Sequence, residues 1–297
     1  MLAKDLGVRS VSLTNFAYMP AVNSPVVSYG RDRSMMQRDL AKAVSDAHEA
    51  GMTVLLKPDI WSREFWGGNG VTAKWHGDIA MASEADWDSF FKSYGEYVLA
   101  TAKLAQDAHA EMLSVGVELV GTSKQTARWK KLIADVRQVY KGKVTYSCAF
   151  TEWKQVEFFD DLDVIGIAAY FPLVDKDRAS EEELRAGWRR VYGELEPLAK
   201  RTGKKIFFTE LGYTAAPKAG KEPWSYEVAE EDEAYQARLF RVALQEAGKH
   251  ECIEGMYLWK WFTAGEWQRY EHDDPFALQG REKVIEVLKE EWVKRRG

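Results

Sequence analysis

Two glutamates in this chain stand where carboxylates can do chemistry. In the run MLSVGVEL, Leu113, Val115, Val117 and Leu119 share one parity, and Met112, Ser114, Gly116 and Glu118 share the other. Read as a strand, whose side chains alternate between faces, the run packs its apolar side against helices. Glu118 then points inward at the C-terminal end, above a layer of small residues. The run KIFFTEL repeats the arrangement, with Ile206, Phe208 and Glu210 on one parity and the carboxylate again at the strand end. A single glutamate at a strand end is more often an ion-pair partner or loop anchor. Two facing one mouth suit a different task. Cleavage of a glycosidic bond with retention needs two carboxyls roughly 5 Å apart, one to protonate the leaving oxygen and one to attack the anomeric carbon.

The aromatic residues point the same way. Of twelve tryptophans, Trp87, Trp129, Trp188 and Trp292 fit the apolar faces of helices. Trp61, Trp66, Trp75, Trp153, Trp224, Trp259, Trp261 and Trp267 fall at strand ends or in the segments that follow strands. Sugar rings stack their C–H faces on such side chains, so a rim of this kind favours a carbohydrate cleft.

The elements that must position these residues alternate along the whole chain. Seven strand-like runs are Val8 to Leu13, Thr53 to Asp59, Met112 to Leu119, Lys143 to Phe150, Asp163 to Tyr170, Lys205 to Leu211 and Gly255 to Phe262. Between them lie amphipathic stretches such as Trp87, Phe91, Tyr94 and Val98, or Trp129, Leu132, Ile133 and Val136, with a last one holding Val284, Ile285, Leu288 and Trp292. Ser180 with Glu183 reads as a capping box, and Gly51, Gly142 and Gly203 as the glycines that close helices. The long segments 60–83, 171–179, 212–228 and 263–280 all follow strands, which makes the C-terminal face of a barrel the working face. The fold class expected is therefore α/β, a TIM-type (β/α)8 barrel forming a single domain over 1–297, with its first strand missing from the chain. The gap would be filled by a loop, by residues outside this chain, or by self-association covering the open edge.

Composition excludes several alternatives. The 297 residues are 46% hydrophobic, enough for a large core. The 41 basic residues are interspersed with 46 acidic ones, which is no nucleic-acid footprint. Cys148 and Cys252 read as unpaired thiols, and five scattered histidines with no HExxH or CxxC give no support to a metal or other cofactor. No run reaches membrane-spanning length, and MLAKDLGVRSVSL lacks the pattern of a signal peptide. The chain is expected to be soluble, secreted if a leader was removed and otherwise cytoplasmic.

The strings TVLLKPDIW, LSVGVEL, VTYSCAF, DLDVIGIAAYFPL, FFTELGYT and YLWKWF, in this order over nearly the whole chain, resemble glycoside hydrolase family 113, known for β-1,4-mannanases. The resemblance implies a barrel glycosidase of the clan with acid/base on its fourth strand and nucleophile on its seventh. Glu118 in GVEL would be the acid/base and Glu210 in TELGY the nucleophile, and a first strand would be missing ahead of Met1. It further implies an endo-acting, retaining hydrolase of β-1,4-mannan or glucomannan, whose partner is a β-linked oligo- or polysaccharide. One departure stands out: much of the clan has Asn before the acid/base, where it can bind the sugar 2-hydroxyl, and here that position is Val117.

Within this reading Glu118 stays protonated as acid because the negative charge of Glu210 and partial burial raise its pKa. Tyr170 ends its strand where its hydroxyl could reach Glu210, and a packed rim tyrosine explains it as well. Lys57, Asp59 and Trp61 could line a glycone subsite, although Lys57 and Asp59 could equally pair with each other. Trp259 and Trp261 share a parity, so that one of them would stack under the sugar. His76, in WHGDI, reads first as a surface loop histidine and second as a substrate contact. Asp160, Asp161 and Asp163 read as turn and cap residues. The rival functions are another β-glycanase or β-glycosidase of the clan, a non-catalytic carbohydrate-binding barrel, and, more weakly, an aldolase-like enzyme using Lys57 or Lys260 in a Schiff base.

Overall fold

The computed structural model describes residues 5–30, 37–65, 74–263 and 274–294. Seven strands are present among them: β1 (Ser10–Met19), β2 (Thr53–Ser62), β3 (Met112–Val117), β4 (Lys143–Ala149), β5 (Ile165–Ala168), β6 (Ile206–Gly212) and β7 (Ile253–Trp259). The helices between and after them are α1 (Gln37–Glu49), α2 (Glu84–Asp107), α3 (Thr126–Val139), α4 (Glu181–Thr202), α5 (Glu233–Ala247) and α6 (Glu282–Lys294). A single 3-10 turn, Phe159–Asp161, stands between β4 and β5. No described helix is long and apolar enough to cross a membrane.

The chain divides into two compact units, one of Arg9–Ile167 and one of Met1–Val8 with Ala168–Gly297. In the first, the strands lie in chain order. β1 and β2 pair in parallel along ten residues, from Ser10 opposite Thr53 to Met19 opposite Ser62. This full-length ladder carries β1 six residues beyond its expected end at Leu13, because backbone pairing holds the polar Thr14 and Asn15 extended. Helix α2 lays Trp87, Phe90, Tyr94, Val98 and Ala102 into the core. Its N-terminus is closed by the Ser83 hydroxyl, which accepts from the Asp86 N–H. Trp129 of α3 is fully buried among Phe91, Tyr94, Tyr146 and Phe158, with ring centroids 5.0 to 6.0 Å away.

In the second unit β6 and β7 run parallel. Helix α4 begins at the Ser180–Glu183 capping box and ends at Gly203, whose φ of 67° is open to glycine at little cost. Its Trp188 and Tyr192 stack with Phe208 of β6. Leu239, Phe240 and Val242 of α5 and Val284, Val287 and Leu288 of α6 complete this core, while Trp292, expected in it, is only half-buried. Gly51 closes α1 with φ 76° as expected, but Gly142 has no left-handed backbone. A side chain there would collide with the Tyr140 hydroxyl, which donates to the Ala110 carbonyl at 2.7 Å.

Candidate active site

The strand reading of Glu118 is corrected by its backbone. β3 ends at Val117, and Glu118 follows in the left-handed region with φ 48°. The pairing with β4 shifts between Ser114 and Val117, so simple alternation does not aim the carboxylate. The carbonyls freed by the irregularity find other donors: Tyr94 donates its hydroxyl to Val115 at 2.9 Å and Ser114 to Gly116 at 2.6 Å. A left-handed non-glycine residue costs on the order of 1–2 kcal/mol, and the turn after it is held accordingly. The Glu118 N–H donates to the Ser147 carbonyl at 2.7 Å, the Leu119 N–H to the Tyr146 hydroxyl at 3.0 Å, the Thr122 hydroxyl to the Leu119 carbonyl at 2.8 Å, and the Trp129 indole to Thr122 at 3.1 Å. The small residue noted at position 116 makes room for this scaffold, since a Cβ there would meet the rings of Tyr146 and Trp129 at 2.8 and 2.9 Å.

Over the carboxylate lies His76. Its Nε2 is 3.0 Å from Glu118 Oε2, its Nδ1 is 3.9 Å from Asp59 Oδ1, and its side chain is only 12% exposed. It is therefore not the surface histidine expected. Phe65 and Trp75 flank the ring, with centroids 6.0 and 5.3 Å away. The 3-10 turn His76–Asp78 packs against a second one, Val120–Thr122. Gly121 allows that approach: a Cβ on it would strike the carbonyl oxygen of Ile79, a backbone atom that cannot swing aside. Lys57 and Asp59 are buried along β2, and the Asp59 carboxylate accepts from the Ile60 N–H at 2.7 Å. Trp61, at the rim, is 36% exposed and leans on Tyr18 at 5.9 Å.

Beneath the Glu118 turn is a carboxylate with no part in the sequence reading. Glu152 is fully buried and receives three donors: the Ser123 hydroxyl, the Tyr146 hydroxyl at 2.6 Å and the Ala149 N–H at 2.9 Å. Burial nevertheless pushes its pKa up to about 7; the three donors oppose this and the charge of Glu118 adds to it. The unfolded chain would ionise the group near 4.5. With the folded pKa raised, the stability from this group is fully present below 4.5 and is lost as pH rises through 7. The stability of the wild type relative to Glu152→Gln is therefore expected to fall by about 3 kcal/mol between pH 4.5 and 8. Urea unfolding of both proteins at the two pH values measures it, and a constant difference would show that Glu152 keeps its ordinary pKa.

Glu210 lies within β6, 7% exposed, beside a register shift between Phe208 and Leu211. Its carbonyl accepts from the Ala169 N–H at 2.7 Å, and its Oε2 accepts from the Tyr170 hydroxyl, also at 2.7 Å. Behind the pair, a side chain on Gly212 would press on the Trp259 carbonyl at 2.8 Å and the Tyr170 ring at 3.2 Å, so both aromatic residues close onto β6 there. Trp259 ends β7, and Trp261 lies past the strand, where the parity argument does not reach; both are half-buried. Lys260 meets Asp274 at 2.8 Å and lies over the rings of Tyr226, Trp259 and Phe262. Burial works to lower its pKa, but Tyr226 and Asp274 outweigh it and raise it. A lysine held protonated is a poor Schiff-base nucleophile.

The expected site residues thus fall in two groups. Glu118, Lys57, Asp59 and Trp61 belong to the first unit; Glu210, Tyr170, Trp259 and Trp261 belong to the second. Trp66 and Trp267 lie outside the described residues. Asp163 caps β4 by accepting from the Val144 N–H at 2.7 Å, and Asp160 and Asp161 sit in the 3-10 turn, as turn and cap residues do. Among the described residues, no group of three or more His, Cys, Asp or Glu side chains could hold a metal ion.

No curated protein sequence matches the chain. Solved structures do. A glycoside hydrolase family 113 β-1,4-mannanase is 24% identical with a TM-score of 0.84, over 99% of this chain and 91% of that one. The family 113 β-mannanase AaManA from Alicyclobacillus acidocaldarius, solved in complex with ManMIm, is 25% identical with a TM-score of 0.83, over 98% and 89%. A fungal β-1,4-galactanase shares the fold more distantly, with 13% identity and a TM-score of 0.59 over 96% and 88%. The fold is the TIM-type barrel of these relatives, with seven of its strands among the described residues. The model of Glycoside Hydrolase Family 113 matches residues 1–281, and the chain belongs to that family, a glycosidase whose substrate is a carbohydrate.

Proposed function

We propose that this protein is a retaining endo-β-1,4-mannanase, hydrolysing mannan or glucomannan by double displacement with Glu118 as acid/base and Glu210 as nucleophile. The observation that carries the reading is the placement of two buried glutamates at the C-terminal ends of parallel strands in a family 113 chain, each hydrogen-bonded to a side chain that can orient it. The mannan assignment is supported by the names of the solved family members, both β-mannanases.

In the first step Glu118 gives its proton to the glycosidic oxygen while a Glu210 oxygen bonds to the anomeric carbon, and the leaving sugar departs. The ester that forms cancels the charge of Glu210. Glu118, now ionised, takes a proton from water, whose oxygen attacks the same carbon and expels Glu210. His76 meets Glu118 Oε2 through Nε2; with the ring proton on Nε2 it donates to that oxygen, which leaves the acid proton on the other carboxyl oxygen, where the glycosidic oxygen can take it. Tyr170 stabilises the Glu210 carboxylate, and its bond regains strength as the carboxylate leaves in the second step.

Removing that bond is expected to slow the release of Glu210. Tyr170→Phe should lower kcat on mannan roughly ten- to hundredfold, the worth of one hydrogen bond to a charged group. Glycosyl-enzyme should then accumulate with an activated aryl substrate and be visible by mass spectrometry; unchanged kcat would remove Tyr170 from the mechanism. The reading as a whole is tested by assays on mannan, glucomannan, xylan and cellulose, with proton NMR of the first-formed anomer. An inverted product, or cleavage of xylan or cellulose in preference to mannan, overturns it.

A further inference from the structure

The buried Glu152 is far from spent as a packing residue. Its carboxylate grips the turn that bears Glu118 at both ends: through the Tyr146 hydroxyl, which in turn accepts from the Leu119 N–H, and through the Ser123 hydroxyl, four residues further on. Its third bond, to the Ala149 N–H, anchors it to the end of β4, the strand that also accepts the Glu118 N–H through the Ser147 carbonyl. Ser123 and Glu152 are both fully buried, so no water competes for these bonds. Tyr146 cannot withdraw without leaving the Leu119 N–H and the carboxylate both short of a partner.

We infer that Glu152 is a positioning residue for the acid/base: acting through Tyr146 and Ser123, it clips the 118–123 turn and so fixes where the Glu118 carboxyl points. The inference rests on the reading of Glu118 as the acid/base. The titratable groups around Glu152 are Glu118, Tyr146 and Cys148. Burial pushes the latter two far above neutrality, so neither changes charge near it. Glu152 and Glu118 also sense each other directly, since each charge opposes the other.

A misaligned acid hurts substrates that need their leaving group protonated and spares those that do not. Glu152→Gln keeps the shape and removes the charge; Tyr146→Phe keeps Glu152 and removes the bridge, and serves if the first variant does not fold. Both are compared with wild type on mannopentaose and on 2,4-dinitrophenyl β-mannobioside. The expected result is a loss of roughly ten- to hundredfold in kcat/KM on the oligosaccharide and of no more than about threefold in kcat/KM on the aryl glycoside, whose first step needs no proton. Equal losses on both substrates, or none, overturn the inference. A second readout needs no activity. With ¹³C-labelled glutamate carboxyls, the Glu118 resonance, assigned with Glu118→Gln, should move from its wild-type position in Glu152→Gln and also in Tyr146→Phe, which leaves the Glu152 carboxyl in place and removes only the bridge. A Glu118 resonance unmoved in both variants also overturns the inference. Wild-type protein inactive on every glycan would fail the functional reading instead, and the resonance experiment would still decide whether Glu152 governs Glu118.

Discussion

Replacing Glu210 with Gln is expected to lower kcat on mannan on the order of 10⁴-fold or more, because an amide oxygen does not form the covalent link to the anomeric carbon. The variant should fold as the wild type does. Gln is isosteric, and its carbonyl oxygen can still accept from the Tyr170 hydroxyl that lies 2.7 Å from Oε2. The loss would therefore be chemical, which thermal unfolding of the two proteins verifies. Glu210→Ala gives the sharper result. It opens the space beside the anomeric carbon, where azide can attack in place of the carboxylate. Attack from that side gives the α-glycosyl azide from a β-linked substrate. Azide that neither restores turnover nor yields the α product would mean that Glu210 is not the nucleophile.

The second large effect belongs to Glu118. Loss of a general acid costs about 10²- to 10⁴-fold, and Glu118→Gln should show it in full on mannan. On 2,4-dinitrophenyl glycosides the first step needs no proton, so it should stay fast while the second, without its base, becomes limiting. A burst of dinitrophenolate followed by slow turnover is the expected trace. Azide should accelerate that slow phase by attacking the glycosyl-enzyme from the face opposite Glu210, giving the β-glycosyl azide. Opposite azide anomers from the two variants would assign the two roles independently. The alkaline limb of the kcat/KM profile on mannan, which requires a protonated acid, should also vanish in Glu118→Gln. An equal loss of kcat/KM on both substrates in this variant would contradict the assignment.

The repeating order of strands and helices was readable because apolar periodicity is local: α2 buries Trp87, Tyr94 and Val98 as its spacing predicts, with Phe90 fully buried where Phe91 was expected and Phe91 half-buried, and all seven expected runs became strands. Strand ends were less readable. β1 runs to Met19 because β2 pairs with it throughout, a fact about a partner 43 residues away. The two glutamates were singled out through parity, but parity does not aim Glu118. A left-handed residue after an irregular strand does, and nothing in VGVEL marks it. Tyr170 was within reach of sequence reasoning because it ends the run Asp163 to Tyr170; β5 itself stops at Ala168, and Tyr170, two residues on, still meets Glu210 through its hydroxyl. His76 was misjudged, since only the folding back of a long segment brings it to a glutamate 42 positions later. Glu152 left no trace in the sequence; its position beyond β4 reads as an ordinary surface turn until Ser123 and Tyr146 are seen to close over it.

The bare backbone of Gly121 beneath the Ile79 carbonyl bears on any attempt to retarget the enzyme. The segment following β2 is the natural place to graft a new loop for a different carbohydrate, as it carries Trp61 at the strand end and the mostly buried His76. Yet its end is seated on the very turn that presents Glu118, so a transplanted loop and that turn are one inherited module. A donor loop brought in without its own counterpart of positions 119–123, or set against any side chain at 121, would change where Glu118 points while meaning only to change which sugar is accepted.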